Sequence, residues 1–572
     1  MAHHPLQKPR SRANWIIQIS FGIILTAIGL LIGLSIPQSL SIGASFDNQQ
    51  LTLTLATKPF WSPFGKVEFW TSVNDSEWVL LSTDSSGLEG WKSTSAPPVE
   101  AVLNVRVLMT DLLGQKHETK EIFFNSAFLD QSPDPTYLHL DQAFPILIKA
   151  LATGDFQTRQ QVATWMKHTE KARFLPYLVE VFQFSQSEEI SLALQSLSGE
   201  SFVGANALRE WYQWLWTQPL LWNTQFFDWK RMLLAHNIPT LQPMLSEQGR
   251  LDWRFVLWGG IPPGGIPPLN NPLTMPASEA HYLQAKDIVF GASINGQARA
   301  YPIRIMDWHE LSNDLLGGEP IALSYCPLCG SAVLFNRNFN QETYIFNTSG
   351  LLYESNKLMF DEQTMSLWPN VIGTPLAGVL AAENIVLERF PLTTTTWEGW
   401  MKLHPNTDVI DPSGNNFLTY ETHEAYDLYR VSRNTLVPVS QTDNRLAEKD
   451  WVFGLTVDGK NIAYPIAQLE ELSVWSGQIN QQNIVILADP IPGSQFGFYP
   501  ATVRAFERQN FVFQKNENRI LDQHGIVWAL TEEALVSANN ERLERIYGET
   551  TYWFAWHTFH SDTELKNLKS GE

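Results

Sequence analysis

The chain has 572 residues, enough for roughly three or four domains of about 150 residues each. A hydrophobic fraction of 44% and 22 Trp supply material for packed cores. A formal charge of -20 argues against a nucleic-acid partner, because phosphate binding needs clustered Lys and Arg. Gly264-Gly265 lies among prolines and makes no nucleotide fingerprint, so no nucleotide is expected.

Lys8, Arg10 and Arg12 precede an apolar run from Trp15 to Ile36, long enough to cross a bilayer as a helix. The next Lys is Lys58, so the positive-inside rule keeps residues 1–14 cytoplasmic and exports the rest. The expectation is a transmembrane anchor over 15–36 with an extracytoplasmic (periplasmic) body. A cleavable signal peptide ending near Ser41-Ile42-Gly43 is the alternative. An oxidising compartment permits a disulfide.

Residues 45–126 read as short strands. Leu51 to Leu55, Val67 to Phe69 and Leu103 to Val107 alternate in polarity, and Asp111 to Gly114 reads as a hairpin loop. The pattern predicts an immunoglobulin-like β-sandwich. Over 138–246 the period becomes helical: Phe144, Leu147, Ile148 and Leu151, then Phe174, Leu175, Leu178 and Val181. Breaks at Gly154-Asp155 and near Ser185 to Glu188 suggest a short helical-repeat segment. The Trp-rich stretch from Trp211 to Trp229 reads as core. Residues 45–246 are thus the expected surface for a protein partner. Ile261 to Pro268 is a Pro/Gly linker or entry loop.

From about 260 to 572 the chain is duplicated. Asp287-Ile-Val-Phe-Gly291 recurs as Asp450-Trp-Val-Phe-Gly454, Asn295-Gly296 as Asp458-Gly459, and Ala300-Tyr-Pro-Ile303 as Ala463-Tyr-Pro-Ile466. All three share an offset of 163 (287 to 450, 296 to 459, 300 to 463). Later the offset becomes 156, matching Trp397, Trp400 and His404 with Trp553, Trp556 and His560. Copy one covers about 287–410 and copy two about 450–566. Asn-Gly and Asp-Gly predict a type I′ hairpin opening each copy. In copy one, strands are expected over 288–294 and 297–303, then a helix over 304–316, a strand over 320–325, a turn, and a strand over 331–336. The overall expectation is a multidomain protein: transmembrane helix, β-sandwich, short helical-repeat segment and an α+β domain of two tandem pseudo-repeats.

The chain's two cysteines stand in the turn Cys326-Pro-Leu-Cys329-Gly330, with His309-Glu310 just upstream. At the offset of 163, His309 becomes Leu472, Cys326 becomes Asp489 and Cys329 becomes Pro492, while the glycine of the turn persists. Scaffold is shared and candidate chemistry is confined to copy one. A closed structural zinc site needs four protein ligands. Cys326, Cys329 and His309 would make an open mononuclear site for zinc or copper, with iron a further candidate. Glu310 is the candidate base for redox or hydrolytic chemistry there. His281 or His423 could add a fourth ligand. The rival is a thiol–disulfide oxidoreductase, although the pair lies between strands rather than at a helix start. An inert disulfide or buried thiols, with His309 in the core, is the third reading. A non-enzymatic adhesion or assembly factor is the remaining functional class. His404 and His560 persist in both copies and read as structural.

Ala298-Arg-Ala-Tyr-Pro-Ile-Arg304, Trp308-His-Glu310, Asn313-Asp314, Tyr325-Cys-Pro-Leu-Cys-Gly-Ser-Ala332, Ser349-Gly350, Asn356, Asp361 and Ser366-Leu-Trp368 carry a family resemblance. On these residues, 260–560 resembles the domain of unknown function 3179 family. That resemblance brings no activity. It implies that Arg304, Asn313, Asp314, Asn356 and Asp361 line one pocket, against the alternative that they make turns and caps.

Overall fold

The computed structural model describes strand residues 39–47, 50–58, 64–73, 79–84, 91–95, 102–111, 116–118 and 122–125. It also describes 140–568, apart from 169–170, 247–248, 415–419, 422–424, 494–497 and 517–518. The protein is multidomain and β-rich, with several sheets and some helices. Two compact units emerge, Met1–Val203 with Leu220–Asn237, and Gly204–Pro219 with Ile238–Glu572. Among the described residues no helix is long and apolar enough to cross a membrane. The anchor expected over 15–36 lies outside the described residues, as does His423.

In the first unit, the strands Ser39–Asp47, Gln50–Lys58 and Trp91–Ser95 form one sheet. A second sheet holds Phe64–Val73, Val79–Asp84, Val102–Asp111, Lys116–Glu118 and Ile122–Asn125. The alternation read from the sequence reappears as burial of Val67, Phe69, Val107 and Met109. The first strand begins at Ser39, upstream of the expected boundary at 45. The apolar positions at helical spacing are buried on the helices Leu140–Thr153 and Leu175–Phe182, with Phe174 closing the short turn before the second. The expected breaks are caps: Asp155 accepts from Thr158 N at 2.8 Å and Ser187 from Ile190 N at 3.3 Å. Trp229 is core in this unit and Trp211 is core in the second.

In the second unit, copy one runs β1 (Ile288–Ile294), β2 (Gln297–Pro302), α1 (Ile303–His309), β3 (Leu311–Leu316), β4 (Glu319–Cys326), β5 (Ser331–Asn336), β6 (Phe346–Tyr353) and β7 (Asn356–Asp361). The helix α2 (Asp427–Val431) lies between the copies. Copy two repeats the order as β8 (Trp451–Val457), β9 (Lys460–Pro465), α3 (Ile466–Leu472), β10 (Val474–Ile479), β11 (Gln482–Pro490) and β12 (Ala501–Glu507), and later adds β13 (Gly548–Tyr552).

The duplication extends to strand register. Ile288 of β1 faces Thr396, and Trp451 of β8 faces Tyr552. Ala300 pairs in parallel with Val409, and Ala463 with Leu565. One partner of each pair carries the offset of 163 and the other that of 156. A close approach is conserved too: a Cβ at Gly291 would meet the Trp400 ring at 2.3 Å, and one at Gly454 the Trp556 ring at 2.2 Å. His404 and His560 pack on those tryptophans in a tilted arrangement, with ring centroids 4.1 Å apart in each copy.

One element departs from the sequence reading. The helix expected over 304–316 stops at His309, and Leu311–Leu316 is strand β3, paired with β4. Glu310 causes the break by taking φ 55°, the left-handed helix-ending conformation, while its N–H still closes on Met306 O at 2.7 Å. Ser473, its counterpart in copy two, does the same with φ 59°. The stop is therefore at Glu310, ahead of Gly317-Gly318.

Candidate functional site

The turn between β4 and β5 carries the cysteines. Cys326 ends β4 and faces Ser331, the first residue of β5. Cys329 N donates to Cys326 O at 3.1 Å, the Cα atoms are 5.3 Å apart, and the two sulfurs are joined as a disulfide. Gly330 holds φ +64°, and a Cβ there would meet the Trp451 ring at 2.5 Å.

The carbonyls of this turn are held largely by copy two and by the segment between the copies. Tyr429 OH donates to Leu328 O at 2.7 Å. Tyr552 N and Thr551 Oγ1 donate to Cys329 O at 2.9 and 3.1 Å. Tyr499 OH donates to Gly330 O at 2.9 Å. Both cysteines are buried, in a cluster with Leu328, Leu352, Val439, Tyr552 and Phe554.

Beside this apolar cluster lies a buried set of ionisable groups. Lys357, on β7, is 4% exposed and donates to Glu310 O and Tyr325 O, each at 2.6 Å. Its Nζ stands 3.9 Å from Glu310 Oε2. Tyr426 OH donates to Glu310 Oε1 at 2.6 Å. Burial pushes the Glu310 carboxyl above its usual range, with Lys357 opposing, and pulls the Lys357 amine down to about 8. Asp307 forms a second buried pair with Arg430, and Tyr325 OH donates to Asp307 at 3.2 Å. Burial raises the Asp307 carboxyl despite the arginine.

Asn356 joins the cysteines to this set. Its Oδ1 is 3.0 Å from Cys329 Sγ, and its Nδ2 is buried without a partner. A Cys329 thiol could donate to Oδ1. In the disulfide the sulfur has no hydrogen to give, and the amide turned over would offer it an N–H.

The sequence candidates therefore separate. Asn356 touches Cys329, and the Glu310 carbonyl accepts from Tyr325 N, one residue before Cys326, at 2.8 Å. His309 is held elsewhere: its Nδ1 donates to Pro267 O at 2.8 Å and its Nε2 accepts from Tyr420 OH at 2.6 Å. Burial lowers its pKa, which favours this neutral ring. Among the described residues no three or more His, Cys, Asp or Glu gather as a metal-holding group. The Pro/Gly segment is a packed strap, with Gly264 N donating to Thr348 O at 2.9 Å. His281 is exposed.

Arg304 donates to Tyr282 O at 2.9 Å and to Asp287 at 2.8 Å. Asn313 bridges strands, donating to Asn270 Oδ1 and Phe346 O and accepting from Phe346 N. Asp314 accepts from Arg299 at 2.6 Å and Tyr301 OH at 2.8 Å. Asp361 accepts from Thr364 N, Thr364 Oγ1 and Trp368 Nε1. Asn313 thus ties strands together, Asp314 sits in a buried ion pair, and Asp361 holds the turn at Thr364. Lys357, Tyr426, Asp307 and Arg430 were absent from the sequence reading. Lys357 left a trace there, as a lone cation ahead of Leu358-Met359-Phe360.

A family model described as Protein of unknown function (DUF3179) matches residues 263–563, just over half of the chain, and the chain belongs to that family. No curated protein and no solved structure matches it.

Proposed function

We propose that this member of the family is a thiol–disulfide oxidoreductase whose redox couple is Cys326–Cys329. The observation that carries the reading is the disulfide set beside a buried carboxyl–amine pair, Glu310 and Lys357, with both groups shifted toward their neutral forms. An inert staple has no need of such a pair, since burying charges is costly. Thiol–disulfide exchange does, because each sulfur released as thiolate must take up a proton.

A partner thiolate attacks one sulfur, forming a mixed disulfide and breaking the Cys326–Cys329 bond. A second partner thiol resolves the mixed disulfide. The couple gains two electrons and two protons, and the partner dithiol becomes a disulfide. Lys357, whose ammonium caps the carbonyl just before Cys326, is the proposed proton source, and Glu310 the proposed proton store. Access requires displacement of the segment around Tyr426, Tyr429 and Val439 that packs on the sulfurs.

In this reading residues 15–36 anchor the protein in the membrane, with the body in an oxidising extracytoplasmic compartment. The segment 45–246, its strands read as a β-sandwich and its helices as repeats, presents the redox domain or meets a protein partner. The second reading is the open metal site, with the reduced Cys326 and Cys329 as thiolate ligands to zinc, copper or iron. The form of the Cys-x-x-Cys turn favours it, and the two hydrogen bonds that occupy His309 speak against it.

Thiol trapping of the full chain across a series of dithiothreitol redox buffers, with metal content measured on the reduced protein, tests the proposal. Two thiols should appear together in the folded protein, and Glu310→Gln should shift the midpoint. Thiols that appear only on unfolding would reduce the pair to a staple. One metal per chain, lost in Cys326→Ser/Cys329→Ser and in His309→Ala, would establish the metal site instead.

A further inference from the structure

A cavity of about 430 Å³ lies where copy one, copy two and helix α2 meet. That is within the usual size of small-molecule sites. Its apolar wall includes Ile288 and Ile303 from copy one and Pro492, Phe498 and Tyr499 from copy two. Its polar wall includes Lys286, Arg304 and Arg430, with Asp287, Asp307 and Asp427.

The formal charges balance, but the hydrogen-bond donors are not all used. Arg430 is committed to Asp307 and Asp427. Arg304 is nine-tenths buried and gives its terminal nitrogens to Tyr282 O and Asp287, which leaves its Nε buried without a partner. Lys286 stands exposed on the same wall, and among the described residues no hydrogen bond or ion pair engages its ammonium.

Copy two shows what the scaffold alone requires. At the offset of 163, Lys286 corresponds to Lys449, Arg304 to Ala467 and Ile288 to Trp451. Lys449 is buried, and its ammonium is spent on the carbonyls of Tyr429, Arg430 and Ser432. The arginine is not needed to build the unit, and a tryptophan can stand where copy one keeps an isoleucine and open space.

We propose that this cavity binds a small organic anion with an apolar body, its carboxylate or equivalent group received by the Lys286 ammonium on the wall that Arg304 and Arg430 share. The apolar body lies between Ile288, Ile303 and the Phe498–Tyr499 wall. The cavity shares Asp307, Arg430 and Tyr499 with the surroundings of the disulfide turn, but the proposal does not depend on the dithiol reading.

Calorimetric titration of the full chain with 2-naphthoate and its uncharged isostere 2-naphthamide tests this. One naphthoate should bind per chain, about tenfold tighter than the amide, as expected for a charge-assisted hydrogen bond. Lys286→Met should weaken naphthoate several-fold and leave the amide unchanged. Ile288→Trp, which fills the cavity with the residue copy two carries, should abolish binding of both while the protein still unfolds cooperatively. Equal affinity for the two probes, no saturable binding, or undiminished binding by the Ile288→Trp protein would each overturn the proposal.

Discussion

Lys357 offers a quantitative test of the buried pair. Its amine is lowered from 10.5 to about 8, with desolvation the main cause and Glu310 opposing. Between those two pH values the unfolded chain binds the proton and the folded chain does not. Stability therefore rises with pH across the window, and the cost of burying the ammonium is fully present below about 8. That cost corresponds to about 3 kcal/mol. Lys357→Met keeps the apolar stem and removes the charge. It also deprives Glu310 O and Tyr325 O of their donor, at about 1–3 kcal/mol each. The gain and the losses largely cancel near pH 7, so the stability difference there is small to moderate. The pH dependence does not cancel. Between pH 7 and 10.5 the wild type should gain about 3 kcal/mol relative to the variant, or about 5 °C in Tm for a domain of this size. Calorimetry of both full-length proteins at matched pH isolates the term, because other lysines and tyrosines titrate alike in both. A Tm difference constant within about 1 °C over that range would refute the buried-ammonium reasoning.

Three further substitutions separate scaffold from chemistry. Gly330→Ala forces a left-handed φ and a contact at 2.5 Å with Trp451, and should cost about 3 kcal/mol. Gly493→Ala, at the equivalent turn of copy two, meets only Lys286 Nζ at 3.6 Å and should cost about 1–2 kcal/mol, both read as Tm by calorimetry. Asp361→Ala removes the acceptor for Thr364 and for the buried Trp368 and should lower stability by about 2–3 kcal/mol. It should leave the midpoint of the Cys326–Cys329 couple unmoved, whereas a shifted midpoint would return Asp361 to the site.

The repeat made copy one legible. Because strands alternate and type I′ turns need Asn-Gly or Asp-Gly, β1, β2 and β5 lie within a residue of where the pattern puts them. What failed was local. Glu310 ends its helix in a left-handed conformation that glutamate rarely adopts, so the sequence carried no stop signal there. The site was half legible for a related reason. Cysteines and a neighbouring glutamate announce themselves by type, and the Glu310 backbone meets β4 at Tyr325, one residue before Cys326. His309 is adjacent in sequence, but it ends α1 against Pro267 and Tyr420. Lys357, Tyr426 and Arg430 reach the site from a later strand and from the segment between the copies, a convergence that spacing does not encode.

The two copies have diverged in complementary directions, and this can be tested at one contact. Copy one keeps the cysteines. Copy two keeps the groups that hold them: Tyr499 and Thr551 as side-chain donors, Tyr552 through its backbone, and Trp451 as the ring over Gly330. The matching positions in copy one are Asn336, Thr395, Thr396 and Ile288, so three of the four differ in kind from their partners. If Trp451 is the reason that position 330 tolerates no Cβ, then Trp451→Ile, the residue of copy one, should relieve the clash that Gly330→Ala creates. The double variant should then be more stable than the two single effects predict by about 1–2 kcal/mol, leaving the left-handed backbone cost and the approach to the Tyr552 ring at 3.2 Å. Strictly additive losses in calorimetry would mean that backbone conformation alone reserves the position for glycine. The ring of copy two would then have no part in shaping the turn.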